Sequence, residues 1–90
     1  MTDEPWRIEL THAAQRDLRR LDAPIRQRVN DALLKLAKDP LASAALRKLT
    51  GSQQSRLRVG DWRVRLTLDT QARVLVVMRI LPRGRAYREQ

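Results

Sequence analysis

Apolar and polar positions change their period twice along this chain. Residues 6–10 alternate strictly, Trp6-Arg7-Ile8-Glu9-Leu10, which predicts a short strand turning Trp6, Ile8 and Leu10 towards a core. From residue 11 the spacing becomes helical. Thr11 is placed to cap a helix in which Ala14, Leu18 and Leu21 recur on one side, while Arg16, Asp17, Arg19 and Arg20 are expected to face water. That helix ends near Asp22. Pro24 suits the first turn of a second helix with an apolar stripe of Ile25, Val29, Leu33 and Leu36, and Asp39-Pro40 stops it. The pair makes an αα-hairpin. Residues 41–50 show no clear period and read as a connector with one helical turn, closed at Gly51.

Period two returns at residue 55. Leu57 and Val59 alternate with Arg56 and Arg58, Gly60-Asp61 forms a two-residue turn, and Trp62, Val64, Leu66 and Leu68 alternate with Arg63, Arg65 and Thr67. Residues 74–81 are apolar on both faces apart from Arg79, as in a central or doubly covered strand. The turn before them has no decisive type, so the pattern leaves the face of Arg79 open. Residues 82–88 read as a basic loop. The order predicts an α+β domain: an N-terminal strand, an αα-hairpin, then a three-strand antiparallel meander, with the helices packed on one face of the sheet. Ninety residues supply one modest core, hence a single domain spanning 1–90.

Composition narrows the chemistry. With 42% hydrophobic and 32% charged residues the chain has the balance of a folded, soluble domain rather than a disordered or membrane-spanning one. Lacking cysteine and holding a single histidine, it cannot assemble a disulfide framework, a cysteine nucleophile, or a zinc, haem or iron–sulfur site of the usual ligands. No cofactor and no metal are therefore expected. The acidic N-terminus is followed by no apolar run, so a secretory signal is not expected and the cytoplasm is the expected location.

Charge changes the picture most. Nineteen basic against ten acidic side chains leave +9 on a small body, which points to a polyanionic partner. The distribution is uneven: residues 1–54 hold ten basic and seven acidic side chains, residues 55–88 nine and two. Sixteen of the basic residues are arginine, whose planar fork grips phosphate bidentately. Arg-rich codon usage accounts for the ratio of arginine to lysine equally well, but not for where the arginines sit.

If Gly60-Asp61 is a two-residue loop, Arg58 stands opposite Arg63 and Arg56 opposite Arg65, so four arginines share one sheet face. Like charges directly opposite across a ladder are destabilising. The plain alternative is a solvated face that happens to be basic; the functional reading is a cradle for phosphates, with counterion release supplying much of the affinity. Few aromatics are available to stack on bases, and no sequence-specific readout is legible.

Metal-free RNA cleavage by the 2′-hydroxyl needs a base, cations for the developing phosphorane charge and an acid for the leaving oxygen. His12, beside a helix cap, reads as an ordinary surface residue, and the carboxylates offer no better candidate. Tyr87, the single tyrosine, lies among Arg83, Arg85 and Arg88. A phenol with an ordinary pKa of about 10 is a poor base at neutral pH, and neighbouring guanidinium groups favour the phenolate. Tyr87 reads equally well as an aromatic anchor for the C-terminal tail.

Taken together, Ala14-Gln15-Arg16-Asp17-Leu18, the second helix closing at Asp39-Pro40, Lys48-Leu49-Thr50-Gly51, the hairpin from Arg56 through Gly60-Asp61-Trp62 to Arg63, and the tail Arg83 with Ala86-Tyr87-Arg88 resemble the RelE/ParE toxin superfamily. The resemblance covers nearly the whole chain, and the hairpin and tail are its most specific parts. It implies a compact α+β fold, an antitoxin partner and, for the RelE branch, the ribosome and messenger RNA as partners, with cleavage in the A site. Carried over by position, Arg56, Arg58 and Arg63 match basic residues that contact the scissile phosphate and its neighbours. Arg83 matches one that assists transition-state charge or the leaving group, and Tyr87 matches the tyrosine credited as general base. Arg65 and Arg85 extend the phosphate-binding set. Where the best-studied pattern has lysines this chain has Arg56 and Arg58, and arginine stays protonated. Proton abstraction then falls to Tyr87 or to the RNA's own surroundings. The ParE branch keeps the fold but inhibits DNA gyrase by binding; retention of Arg63, Arg83 and Tyr87 favours the nuclease. A plain RNA-binding domain is the third reading.

Overall fold

The computed structural model describes residues 4–43, 46–48 and 54–84. The first alternating run forms strand β1, Arg7–Leu10, with Arg7 and Glu9 exposed and ion-paired to each other. Helix α1, His12–Arg19, starts at Thr11, whose Oγ1 accepts the Ala14 N–H at 3.1 Å. Helix α2, Ala23–Lys38, has Pro24 in its first turn, where the missing N–H is harmless, and buries Val29, Leu33, Leu36 and Ala37. Asp39-Pro40 ends it, and a single 3₁₀ turn, Pro40–Ala42, follows. The remaining strands are β2 (Leu46–Lys48), β3 (Gln54–Val59), β4 (Trp62–Asp69) and β5 (Val74–Pro82).

These strands build one five-stranded sheet in the order β1-β5-β4-β3-β2. The expected meander is its centre: β3, β4 and β5 pair antiparallel, with Val59 opposite Trp62, Arg58 opposite Arg63, Leu57 opposite Val64 and Arg56 opposite Arg65, as a two-residue turn requires. One element differs from expectation, and another takes a place the pattern left unassigned. The 41–50 connector contains β2, an edge strand antiparallel to β3, and β1 joins the other edge parallel to β5. A three-residue strand is too short to show a period, and its pairing with β3 is what defines it. Gly51 lies outside the described residues.

Both helices cover one face, where Ala14 of α1, Leu21 just beyond it, and Val29, Leu33 and Leu36 of α2 meet Leu57, Val64, Leu66, Leu75, Val77 and Ile80 of the sheet. Burying a leucine or isoleucine here is worth about 2–3 kcal/mol, and this apolar layer sets which way every neighbouring side chain points. The other face carries the arginines.

A bulge settles Arg79. Arg65 pairs with Arg79 but the next residue, Leu66, pairs with Val77, so Met78 is an extra residue on β5. Plain alternation from the core residue Val77 would aim Arg79 inward; the inserted residue sends Arg79 to the arginine face and Ile80 into the core. The bulge lies where β1 runs out, since β1 pairs only with Val74 to Val77. Beyond that point α1 takes over the edge: the Thr11 hydroxyl donates to the Met78 carbonyl at 2.9 Å, and the Ile80 N–H donates to Asp17 Oδ2 at 2.9 Å. Asp17, expected to face water, is therefore buried, with 8% of its side chain exposed. Helical spacing marks its side of α1 as polar; only the open edge of β5 makes that side an interior one.

Thr11 serves two elements through one oxygen. Replacing it with valine keeps the shape but strips the cap and the Met78 bond together, so Thr11→Val is expected to cost about 2 kcal/mol and Thr11→Ser much less, read from urea unfolding midpoints.

Candidate nucleic-acid interface

The hairpin that carries the arginines depends on its turn. Gly60 has φ +57°, whereas Asp61 stays at negative φ, the demand of a type II′ hairpin with glycine first. A Cβ on Gly60 would also stand 3.1 Å from Arg28 Nη2. Arg28, on α2, thus lies against the turn, a neighbour that no spacing in the sequence announces.

Arg63 is 4% exposed, and its Nη1 donates to the Gly60 carbonyl at 2.8 Å and the Trp62 carbonyl at 2.9 Å. Alternation places it beside Arg58 on the face opposite the core; the structure commits one nitrogen of its fork to the turn, which holds the guanidinium in place. Arg58, opposite it, is exposed. Arg56 and Arg65 are half-buried. Arg83 is exposed, and its backbone N–H donates to the Asp61 carbonyl at 2.9 Å, so the chain leaving β5 is tied to the tip of the β3–β4 turn. Arg28, Arg63 and Arg83 therefore converge on one turn from α2, β4 and the end of β5. Arg85 and Tyr87 lie outside the described residues.

At the far end of the face Arg79 Nε donates to Asp17 Oδ2 at 2.8 Å and Nη2 to Oδ1 at 3.3 Å, a two-pronged pair. Burial pushes the Asp17 carboxyl up, but the Arg79 bond, the Ile80 N–H and the charges of Arg79 and Arg20 outweigh it, so its pKa lies below the ordinary 3.8. The carboxylate is a fixed counter-charge and not a proton carrier near neutrality. Among the described residues no group of His, Asp and Glu converges as a metal ion would require, and no helix is long and apolar enough to cross a membrane.

Arg47 on β2 and Arg28 on α2 escaped the sequence reading. The alternation Leu46-Arg47-Lys48 is the one signal that could have pointed to Arg47, and it is two steps long.

The family model of the ParE toxin of type II toxin–antitoxin systems, parDE, matches residues 8–87, and the chain belongs to that family, within the RelE/ParE superfamily. Among solved structures, the RelBE2 toxin–antitoxin complex of Mycobacterium tuberculosis has a chain 25% identical that superposes with a TM-score of 0.79, covering 89% of this chain and all 100% of that one. The archaeal RelE–RelB complex of Pyrococcus horikoshii matches at 23% identity and TM-score 0.78, over 91% of this chain and 99% of that one. The YoeB/ParE toxin of Agrobacterium tumefaciens matches at 18% and 0.73, over 84% and 96%. The last two likenesses bear on the fold alone. No curated protein sequence matches the chain.

Proposed function

We propose that this toxin is a ribosome-dependent endoribonuclease that cuts messenger RNA in the A site, without a metal, by attack of the RNA 2′-hydroxyl on the adjacent phosphodiester. The observation that carries the reading is the convergence at the hairpin turn, where the Arg83 backbone is bonded to Asp61 and the Arg63 guanidinium to Gly60 and Trp62. A guanidinium already held by two carbonyls loses little freedom when it meets phosphorane charge, which is the advantage of a preorganised cation. Arg56, Arg58 and Arg65, with Arg85 from the tail, hold the neighbouring phosphates. Arg83 stabilises the developing charge or the leaving oxygen, and Tyr87 accepts the 2′-hydroxyl proton. The products are a 2′,3′-cyclic phosphate and a 5′-hydroxyl. As in the RelE–RelB complexes, an antitoxin is the partner; for this chain an acidic segment covers the arginine face or displaces the tail, with association slowed by salt.

The second reading, a ParE-like gyrase inhibitor without chemistry, is favoured by the family model itself. Expression in cells followed by mapping of messenger RNA 5′ ends and of DNA breaks separates the two. In-frame RNA cuts at A-site codons are expected; gyrase-linked breaks with intact messages would overturn the nuclease reading.

A further inference from the structure

The hairpin's arginine pairs belong to a longer array. Arg47 on β2 pairs with Arg56 on β3, Arg56 with Arg65 on β4, and Arg65 with Arg79 on β5, so four arginines stand in one register row across four strands. Adjacent strands lie about 4.8 Å apart, which makes the row about 14 Å long. It runs at right angles to the strands, beside a shorter row made by Arg58 and Arg63. At the β5 end of the row Arg79 is ion-paired with Asp17. The opposite end, Arg47, is exposed and sits on the edge strand of the sheet.

Like charges directly opposite across a ladder work against sheet stability, and the row sets Arg47 against Arg56 and Arg56 against Arg65. Protection of an edge strand from pairing with another chain accounts for charge on β2, where Lys48 also stands, but not for the continuation of the row through the two central strands. A single-stranded polyanion lying along the row does account for it, because its phosphates meet guanidinium groups on strand after strand.

We propose that Arg47 is the outermost phosphate contact of an RNA strand that crosses the sheet along this row and leaves over the β2 edge. The inference rests on the endoribonuclease reading and adds the path of the strand to it. Arg47 binds RNA remote from the reacting phosphate; it positions the strand and takes no part in the chemistry.

The test compares Arg47→Ala, Arg47→Lys and Arg58→Ala with the unaltered full-length toxin on programmed ribosomes carrying end-labelled messenger RNA. Arg47→Ala is expected to raise KM severalfold, to leave kcat in place, and to reduce the salt slope of binding by about 0.7, the loss of one contact to a single strand. Arg47→Lys should restore the slope. An exposed side chain on a short edge strand leaves the melting temperature unchanged, so a fall in folding stability would not mimic this result. If Arg58→Ala lowers the slope and Arg47→Ala does not, the proposed path is wrong while the nuclease reading stands. Aggregation of Arg47→Ala with an unchanged slope would likewise overturn the path and assign the residue to edge protection. Absence of cleavage by the unaltered toxin is a different result, and it would remove the nuclease reading and this path together.

Discussion

Tyr87→Phe is expected to lower cleavage on programmed ribosomes by roughly 10²-fold or more while binding changes little, because it removes one oxygen and leaves the ring. The expectation follows from which groups can accept a proton. Arginines remain protonated, and the buried carboxylate of Asp17 is already bonded to Arg79 and the Ile80 N–H. His12, at the start of α1, stands on an element remote in sequence from the hairpin turn. Tyr87 follows Arg83 by four residues, a chain reach of about 14 Å at most, and Arg83 is tied to Asp61 at the turn. Single-turnover cleavage with saturating toxin is the decisive measurement. A Tyr87→Phe protein that cuts at the normal rate would exclude the general-base role. One that stays toxic without cutting would favour gyrase inhibition.

Asp17→Ala is the stability change with the largest expected effect, about 3 kcal/mol, measured as a shift in the urea midpoint at neutral pH. It strands the Ile80 N–H at the uncovered edge of β5 and leaves the Arg79 side chain, two-thirds buried, without its carboxylate. Asp17→Asn should cost less, since an amide oxygen can still accept from Ile80 while the charge is lost. The pH dependence has a definite sign. Because the folded pKa lies below the ordinary 3.8, the Asp17 contribution is complete above about pH 5 and is lost as pH falls through the lowered folded value. The stability gap between the unaltered protein and Asp17→Asn should therefore be full at neutral pH and close in acid. A gap that widened on acidification would contradict the assigned pair.

The two sites are joined through Arg79. Its register places it beside Arg65 at the end of the arginine row, and its guanidinium is committed to α1. The row thus has an anchored end at Arg79 and an exposed end at Arg47. The turn arginines show the same division of labour at closer range: Arg63 is held by carbonyls while Arg58, directly across the ladder, is exposed.

Much of this protein was legible in one dimension because its local periods agree with its elements. The alternation around Gly60-Asp61 determined the β3–β4 register residue by residue, since a two-residue turn leaves one pairing and a one-residue slip would bury the arginines. Thr11, Pro24 and Asp39-Pro40 marked the helix ends through capping chemistry that acts within a few residues. Tertiary structure alone decided the rest. It decided the faces of Asp17 and Arg79, because one extra residue at Met78 and a β1 too short to cover β5 turned a polar helix side into an interior contact. It decided that Arg63 braces the turn, since a fork five donors wide can bond carbonyls that alternation cannot anticipate. And it decided that Arg47 completes a row: three residues carry no period of their own, and only hydrogen bonding to β3 sets Arg47 opposite Arg56.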